Sequence, residues 1–195
     1  MSPVVSDIDA SKVEGNASPE IKNTLLRALQ AMQRLSHVSR STGRPFRGLE
    51  AEITSQLQLT EASILSKTEE PEKFEGRVVF QVIVNEDMLN SAQNMHGGCL
   101  AMIIDNCSTM PIYILGASTN GHGEFGVSQS LNIIYHSPAL TGDKLRVVST
   151  TLTIGSRALS SRCEVWNVTR HRLVASAVHV KMVPSEPKAS EPAKL

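Results

Sequence analysis

The chain has 195 residues, a length typical of one domain with extensions, and its core must be aliphatic because aromatic residues make up only 4%. The formal net charge is zero and the 19 basic residues form no single block, which argues against an electrostatic nucleic-acid binder. No apolar run approaches the roughly 18 residues that a membrane span requires, so no membrane span is predicted.

Residues 1–45 are predicted to be an N-terminal extension with a disordered start and one amphipathic helix. They have neither the apolar core of a secretory signal nor the basic character of a transit peptide. Ser18 can cap the helix, with Pro19 at its first position, and the helix is predicted to end near Ser39. Its apolar residues follow at helical spacing: Ile21, Leu25, Leu26, Leu29 and Met32.

Residues 46–183 are predicted to fold into one domain, in which strands surround a single apolar helix. The helix is predicted over residues 99–115, although Pro111 would break or kink its last turn, and a glycine-rich loop is predicted over 116–126. Six segments have the composition of strands: 51–60, 76–85, 127–136, 144–154, 158–169 and 173–183. An antiparallel sheet can bury such a helix by wrapping around it, which predicts an α+β fold.

The sequence His96-Gly97-Gly98 stands where the apolar helix begins. Glycines let the backbone approach a ligand closely, and a helix N-terminus leaves N–H groups free at the positive end of the dipole. Such a terminus suits a developing oxyanion. A glycine-rich helix entry without a ligand has the same sequence, so this motif alone is weak.

Asp105 is the one acid in the apolar helix. A carboxylate is costly to bury unpaired, and hydrophobic surroundings make it a better base. The alternative is a carboxylate that is simply satisfied by a hydroxyl or an amide. We favour a catalytic role, because nothing else on that helix face calls for a polar side chain.

The spacing of His96 and Asp105 makes a prediction about assembly. Asp105 comes nine residues after His96, which places the two roughly 13 Å apart along a helix and on opposite faces. One subunit cannot easily bring both to a single carbonyl group. Two antiparallel copies of the helix can, so this chemistry predicts a dimer.

The three cysteines, Cys99, Cys107 and Cys163, include no Cys-x-x-Cys pair. Their odd number indicates a reduced compartment and no metal site. Buried, small apolar residues are the favoured interpretation for all three. A nucleophilic Cys99 or Cys107 is the alternative, which is disfavoured because no histidine partner can be placed beside either one.

Residues 75–183 resemble the small acyl-CoA thioesterases of the hotdog superfamily, in particular the phenylacetate-pathway type and its mitochondrial animal relatives. The resemblance covers a little over half of the chain and does not account for residues 1–45 or the tail. In combination the matching stretches are highly specific: Asn90, Met95 to Gly98, Ile104 to Asn106, Ser108 to Met110, Gly126 to Ser128, Leu131 to Ile133, and Tyr135 to Ala139.

The resemblance implies a hotdog fold, a long helix wrapped by an antiparallel sheet, here with an extra N-terminal helix. It implies that two subunits join their sheets and that pairs of dimers form tetramers. Asp105 is implied as general base on water or as nucleophile, and Gly97 as donor of the oxyanion-binding N–H. His96 and Asn90 would hold the carbonyl and the water, and Ser128 of the same subunit as Asp105 would position the water. No metal and no cofactor are implied, because a thioester is already activated.

The resemblance also implies that two turns line the CoA-binding site. One turn contributes Tyr135, His136, Ser137 and Pro138, and the other contributes Gly155, Ser156 and Arg157. Arg157 and Lys181 can meet a phosphate, and the alternative for both is a solvated surface charge. The chain departs from the family at two places. A basic residue often precedes the second turn in the family, whereas this chain has Thr153 or Ile154 there, and Met182 stands where the family has a histidine. His122 and His136 are interpreted as surface or strand-end residues.

The predicted function is hydrolysis of an acyl-CoA to a free acid and CoA. One alternative is the same fold releasing a polyketide or other specialised acyl chain from a carrier, and Arg157 and Lys181 decide between the two only weakly. Another is a non-catalytic acyl-CoA binder, against which Asp105 argues. A hotdog dehydratase is disfavoured, because it would need its catalytic histidine and acid arranged together.

Residues 184–195 are predicted to be a flexible tail, because they are rich in proline and charge. The tail ends in Ala193-Lys194-Leu195, a close variant of the peroxisomal address Ser-Lys-Leu. The tripeptide predicts a peroxisomal import receptor as a partner and a peroxisomal location. The alternative is a chance ending in a cytoplasmic protein.

Overall fold

The computed structural model describes residues 9–36, 49–121 and 123–183, which form three α-helices and six strands. The predicted helix end near Ser39, His122 and the tail 184–195 lie outside these residues. The helices are α1 (Pro19–Ser36), α2 (Leu49–Thr54) and α3 (Gly97–Asn120), with 3-10 turns at Ala10–Lys12 and Glu86–Met88. The strands are β1 (Gln58–Ser66), β2 (Phe74–Ile83), β3 (Val127–Tyr135), β4 (Lys144–Ile154), β5 (Ala158–Asn167) and β6 (Arg172–Met182).

The six strands form one antiparallel sheet in the order β1-β2-β4-β5-β6-β3. The sheet wraps around α3, which contacts every strand, while α1 and α2 pack against α3 as well. The predicted architecture, a long central helix inside an antiparallel sheet with an extra N-terminal helix, is confirmed.

Helix α3 forms the centre of the core. Ile103, Ile104 and Ile114 are fully buried, at 0% exposure. The helix reaches the length and hydropathy of a membrane span, contrary to the expectation that no apolar run is long enough. However, 67% of the 18-residue stretch that is this apolar is buried inside the protein. This burial identifies α3 as the core helix of the domain.

Helix α3 continues through Pro111, where the sequence predicted a break or kink, and ends at Asn120, five residues beyond its predicted end. A proline deprives only one carbonyl of the preceding turn of its partner, and packing against the sheet holds the helix on both sides of it. Gly76 of β2 comes so close that a Cβ atom there would lie 2.3 Å from the Pro111 carbonyl oxygen. Gly121, with φ of 76°, then ends the helix in the left-handed region.

The strand predicted at residues 51–60 is wrong in its first half. Leu49–Thr54 is the helix α2, and β1 begins only at Gln58. Glu50 and Glu52 lie in the first turn of α2, where the helix dipole favours negative charge. A short segment with one core residue, Ile53, has too few apolar positions to distinguish the helical period from the strand period.

The two edges of the sheet differ. The edge of β1 is covered by residues 13–17: the Glu14 N–H donates to the Thr60 carbonyl at 2.8 Å, and the Asn16 amide bonds both backbone groups of Ile64. At the opposite edge, no described segment pairs with the free side of β3. Strand β3 nevertheless exposes large apolar side chains, with Ile134 at 56% and Val127 at 53%. Such an unpaired apolar edge is a template for pairing with another chain.

Candidate active site

The N-terminus of α3 is built by His96 and the two glycines that follow it. His96 is the N-cap, and its Nδ1 accepts a hydrogen bond from the Gly98 N–H at 2.9 Å. The backbone N–H of His96 donates to the Met88 carbonyl at 2.7 Å, which fixes the cap. Among the described residues, no acceptor lies against the Gly97 N–H. Gly97 therefore presents an unpaired donor at the positive end of the longest helix.

Tyr135 holds the carbonyl group of Gly97, because its hydroxyl donates a hydrogen bond to that oxygen at 2.9 Å. A Cβ atom built at Gly97 would lie 3.5 Å from the Tyr135 ring, an ordinary van der Waals contact. Packing within one chain therefore does not require glycine at position 97.

The predicted CoA-bordering residues of the first turn lie beside Gly97. A cleft of about 690 Å³ adjoins this glycine, and four of its lining residues are Tyr135, His136, Ser137 and Pro138. His136 directly follows β3 and is exposed, with its Nε2 at 2.9 Å from the Ser176 hydroxyl, which agrees with its interpretation as a strand-end residue. The turn at Gly155, Ser156 and Arg157 does not line this cleft.

Asn90 forms a tight turn in front of the cap. Its Oδ1 accepts hydrogen bonds from the backbone N–H groups of Ala92 and Asn94, at 2.9 and 3.2 Å. Within the described part of the chain its Nδ2 group has no acceptor. The turn thus leaves the amide N–H groups of Asn90 available to a ligand.

Asp105 lies farther along α3, in contact with β3 and β6. Its Oδ1 accepts a hydrogen bond from the Ser128 hydroxyl at 3.2 Å and lies 3.3 Å from His179 Nε2. The Asp105 side chain is 45% exposed in the single chain. A carboxylate held by a hydroxyl and still open to solvent is free to act on a water molecule.

His179 is the residue of this cluster that the sequence analysis missed. It is completely buried, with Nδ1 2.7 Å from the Ser108 hydroxyl and Nε2 3.0 Å from the Ser128 hydroxyl. The signal was present in β6, where Ala175, Ala177 and His179 alternate with more exposed residues and so share the inner face. A polar side chain on the inner face of a strand needs a partner.

The proton of His179 is assigned to Nε2, because Nε2 lies 3.3 Å from the Asp105 carboxylate, which can only accept. The Ser108 hydroxyl donates to Nδ1 of His179, while Nε2–H points at Ser128 and Asp105. The Ser128 hydroxyl then donates to Asp105. Burial lowers the pKa of His179, and the nearby positive charge of Lys181 lowers it further, while the Asp105 carboxylate opposes this shift. The imidazole is therefore neutral at neutral pH.

Lys181 also belongs to this cluster. It is only 5% exposed, and its Nζ donates to the Ser128 hydroxyl at 3.1 Å. Burial lowers the pKa of Lys181, and the Asp105 carboxylate opposes that shift. The interpretation of Lys181 as a solvated surface charge is therefore wrong.

Arg157 and its two predecessors lie at the same end of the sheet as Lys181. The Arg157 carbonyl accepts from the Val183 N–H at 3.1 Å, and Gly155, Ser156 and Arg157 are exposed. The predicted site residues thus fall into two groups on one chain. One group surrounds Gly97 and the other surrounds Asp105, about 12 Å away along the helix.

The turn that follows β3 is fixed by the side chain of Asp143. This buried carboxylate accepts from the Leu140 N–H at 2.8 Å, the Asn167 amide at 2.7 Å and the Arg170 guanidinium at 3.0 Å. Burial alone would raise the pKa of Asp143, but these hydrogen bonds outweigh it and hold the pKa below its ordinary value. The Ala139 carbonyl of this turn accepts from the Met95 N–H at 2.8 Å, which ties the turn to the cap of α3.

All three cysteines are buried and free, which confirms their interpretation as small apolar core residues. Burial raises the pKa of Cys99 to about 11 and that of Cys163 to about 12, and it also raises that of Cys107. These thiols stay protonated at neutral pH. The nucleophilic-cysteine alternative is therefore not favoured, because the thiolate is the reactive form.

Known proteins are similar to this chain in sequence and in fold. The family model of the thioesterase superfamily matches residues 92–174. The acyl-coenzyme A thioesterase 13 of Homo sapiens is 30% identical over 106 residues, which are 54% of this chain and 72% of that protein.

Solved structures extend the likeness to most of the chain. Zebra fish thioesterase superfamily member 2 has a TM-score of 0.58 and 24% identity, and the match covers 82% of this chain and 98% of that one. The smu.793 protein of Streptococcus mutans UA159, bound to acetyl CoA, has a TM-score of 0.50 and 21% identity over 57% of this chain and 84% of that one. The chain therefore belongs to the thioesterase superfamily, and it is a thioester hydrolase with the hotdog fold.

Proposed function

We propose that the protein hydrolyses acyl-CoA thioesters to a free acid and CoA, at sites that two copies of the chain build together. The observation that carries the proposal is the division of the site within one chain. The Gly97 N–H, which has no acceptor among the described residues, and the exposed carboxylate of Asp105 are both positioned, yet they are about 12 Å apart along α3.

The difference between the covered edge at β1 and the free edge at β3 supports a dimer formed through β3. Residues 13–17 already cover β1, while β3 exposes Val127, Ile134 and Tyr135, the last at 53%. Antiparallel pairing of two β3 edges continues the sheet and brings the two α3 helices side by side in opposite directions. Asp105 of one protomer then faces Gly97 of the partner subunit. The pairing of two dimers into a tetramer stays a prediction.

In the proposed reaction, Asp105 acts as general base on a water molecule. The water oxygen attacks the thioester carbonyl carbon while its proton moves to the Asp105 carboxylate. The Gly97 N–H of the partner subunit stabilises the oxyanion, assisted by the free amide of Asn90 and by His96. Collapse of the intermediate breaks the carbon–sulfur bond, and the proton on Asp105 passes to the CoA thiolate. Water and thioester thus become acid and thiol, with no other reactant.

Ser128, His179 and Lys181 are proposed to hold the base in place. Ser128 accepts from Lys181 and from His179 Nε2–H, so its own proton is directed at Asp105. This leaves the second carboxylate oxygen for the water. His179 is a positioning residue, because it acts through Ser128 and Asp105.

Replacing His179 with alanine is expected to lower kcat about tenfold to a hundredfold with little change in KM, because displaced catalytic groups cost rate more than binding. Glutamine, whose Nε2 amide can still donate toward Asp105, is expected to recover part of this loss. Steady-state kinetics together with the melting temperature of each variant check this. Equal losses in both variants that parallel their melting temperatures would assign His179 a purely structural role.

CoA is the proposed carrier of the acyl group. The human relative is named an acyl-coenzyme A thioesterase, and the Streptococcus mutans protein binds acetyl CoA. Tyr135 and Pro138 wall the cleft beside Gly97, and the exposed Arg157 is free to meet a phosphate. We assign no phosphate to Lys181, because its ammonium group already contacts Ser128.

Thiol release from matched substrates tests this assignment. We expect acyl-CoA to be hydrolysed with a kcat/KM about tenfold above that of the acyl-dephospho-CoA, because one charge-assisted contact contributes roughly this factor. Faster release from an acyl carrier protein would favour the specialised-chain alternative. Slow release that is equal in wild type and Asp105→Asn would favour a non-catalytic binder.

A peroxisomal location is proposed from Ala193-Lys194-Leu195. A fluorescent protein fused to the N-terminus is expected to accumulate in peroxisomes, and deletion of Leu195 is expected to release it to the cytoplasm. Microscopy of the two fusions decides between the import signal and a chance ending.

A further inference from the structure

Arg170 and Asp143 form a salt bridge that the proposed reaction does not use. The Arg170 Nε lies 3.0 Å from each oxygen of the Asp143 carboxylate. The Asp143 side chain is only 3% exposed, whereas that of Arg170 is 44% exposed. A buried carboxylate that loses its cation is left uncompensated. Arg170 therefore helps to keep Asp143 in place as a charged acceptor.

Hydrogen bonds connect this salt bridge to the start of α3. Asp143 Oδ2 accepts from the Leu140 N–H at 2.8 Å, and the carbonyl of the neighbouring Ala139 accepts from the Met95 N–H at 2.8 Å. Met95 comes two residues before Gly97. The salt bridge is thus connected to the proposed oxyanion donor by two further hydrogen bonds and two short stretches of backbone.

The turn between β5 and β6 is built so that the Arg170 side chain faces Asp143. The Arg170 N–H donates to Asn167 Oδ1 at 3.0 Å, and the Asn167 amide donates to Asp143 at 2.7 Å. The Thr169 hydroxyl accepts from the Lys144 N–H at 2.9 Å, which ties the same turn to the start of β4. The position of the guanidinium is therefore fixed by its own backbone, although the side chain is half-exposed.

We propose that Arg170 is a positioning residue: through Asp143 it holds the Gly97 N–H at the thioester carbonyl, while Asp105 of the partner subunit activates the water. The inference rests on the proposed function and assigns Arg170 to the Gly97 half of the shared site. In the described part of the chain, the contacts of the Asp105 carboxylate are Ser128 and His179, and neither belongs to the Arg170 network. Loss of Arg170 thus leaves the Asp105 half of its own chain intact.

Arg170→Met is expected to lower kcat about tenfold, because misplacing a catalytic group by about 1 Å can cost as much as a hundredfold in rate. Arg170→Lys keeps a cation beside Asp143 and is expected to recover part of the loss. Arg77→Met is the matched control, since the Arg77 Nε likewise donates to a carboxylate, that of Glu61 at 2.9 Å, away from the proposed site. It is expected to hydrolyse acyl-CoA at the wild-type rate.

Mixed dimers identify the half of the site on which Arg170 acts. Mixing Arg170→Met with Asp105→Asn chains is expected to give about a quarter of the wild-type activity, because half of the sites in the mixed dimers combine Asp105 of the first chain with an undisturbed Gly97 of the second. Mixing Arg170→Met with Gly97→Pro chains is expected to give no more than the average of the two parents. In that mixture every site lacks the Gly97 N–H or its correct position.

Asp143→Asn removes the same salt bridge from its other side and is expected to repeat this pattern. Equal results in the two mixtures, a gain in the Gly97→Pro mixture alone, or an Arg170→Met enzyme as active as wild type would overturn the positioning role. Failure of the proposed function is seen separately. In that case wild type releases no thiol from acyl-CoA, or a mixture of Asp105→Asn with Gly97→Pro chains gains no activity.

Discussion

Replacing Asp105 with asparagine is expected to lower kcat about a thousandfold, the usual contribution of a positioned general base. Asparagine has nearly the same shape and keeps an oxygen that can accept the Ser128 hydrogen bond. It cannot take a proton from water. Thiol release from a saturating acyl-CoA measures the loss, and KM is expected to change little because substrate contacts remain.

The fold is expected to survive this substitution, because the Asp105 side chain is 45% exposed in the single chain. Glu72→Gln is the matched control, since it makes the same carboxylate-to-amide change at an exposed position in the turn between β1 and β2. Full activity of Glu72→Gln and an unchanged melting temperature of Asp105→Asn would confine the loss to chemistry. An Asp105→Asn enzyme within a few-fold of wild type would refute the carboxylate mechanism.

Replacing Gly97 with proline is expected to lower kcat by about a hundred- to a thousandfold, the cost of losing one oxyanion-hole donor. The substitution deletes the proposed N–H where proline is well tolerated, at the first position of a helix. His96, with φ of −65° and ψ of 130°, already has the extended conformation that a residue before proline adopts. Gly97→Ala keeps the N–H and places Cβ at 3.5 Å from Tyr135, so it is expected to retain most of the activity.

Mixing the two inactive variants tests whether the site is shared. A mixed dimer of Asp105→Asn and Gly97→Pro chains contains one site with the native Asp105 and the native Gly97 of the partner subunit. Random pairing is then expected to restore about a quarter of the wild-type activity, because half of the dimers are mixed and half of their sites are intact. If each chain holds a complete site of its own, mixing restores nothing. Size-exclusion chromatography of both variants confirms that they still assemble.

The sequence alone determined the central helix and its two functional positions. The apolar run with one acid, Asp105, predicted a buried helix, and His96-Gly97-Gly98 marked its start correctly to within two residues. Both features are local, because they depend on the helical period and on residues that are neighbours in sequence. The separation of His96 from Asp105 along the helix and around it, and therefore the predicted dimer, follows from the rise and the period of the helix.

Only the tertiary structure decided what surrounds Asp105. His179 and Lys181 reach it from β6, more than 70 residues later, because the register of β3 with β6 pairs Ser128 with Lys181. Such pairings depend on strand order, which local sequence does not encode. Packing likewise kept Pro111 inside α3 and made residues 49–54 helical. Contacts distant in sequence outweigh local propensity wherever a segment is buried, because burial contributes more free energy than the propensity difference between two local conformations.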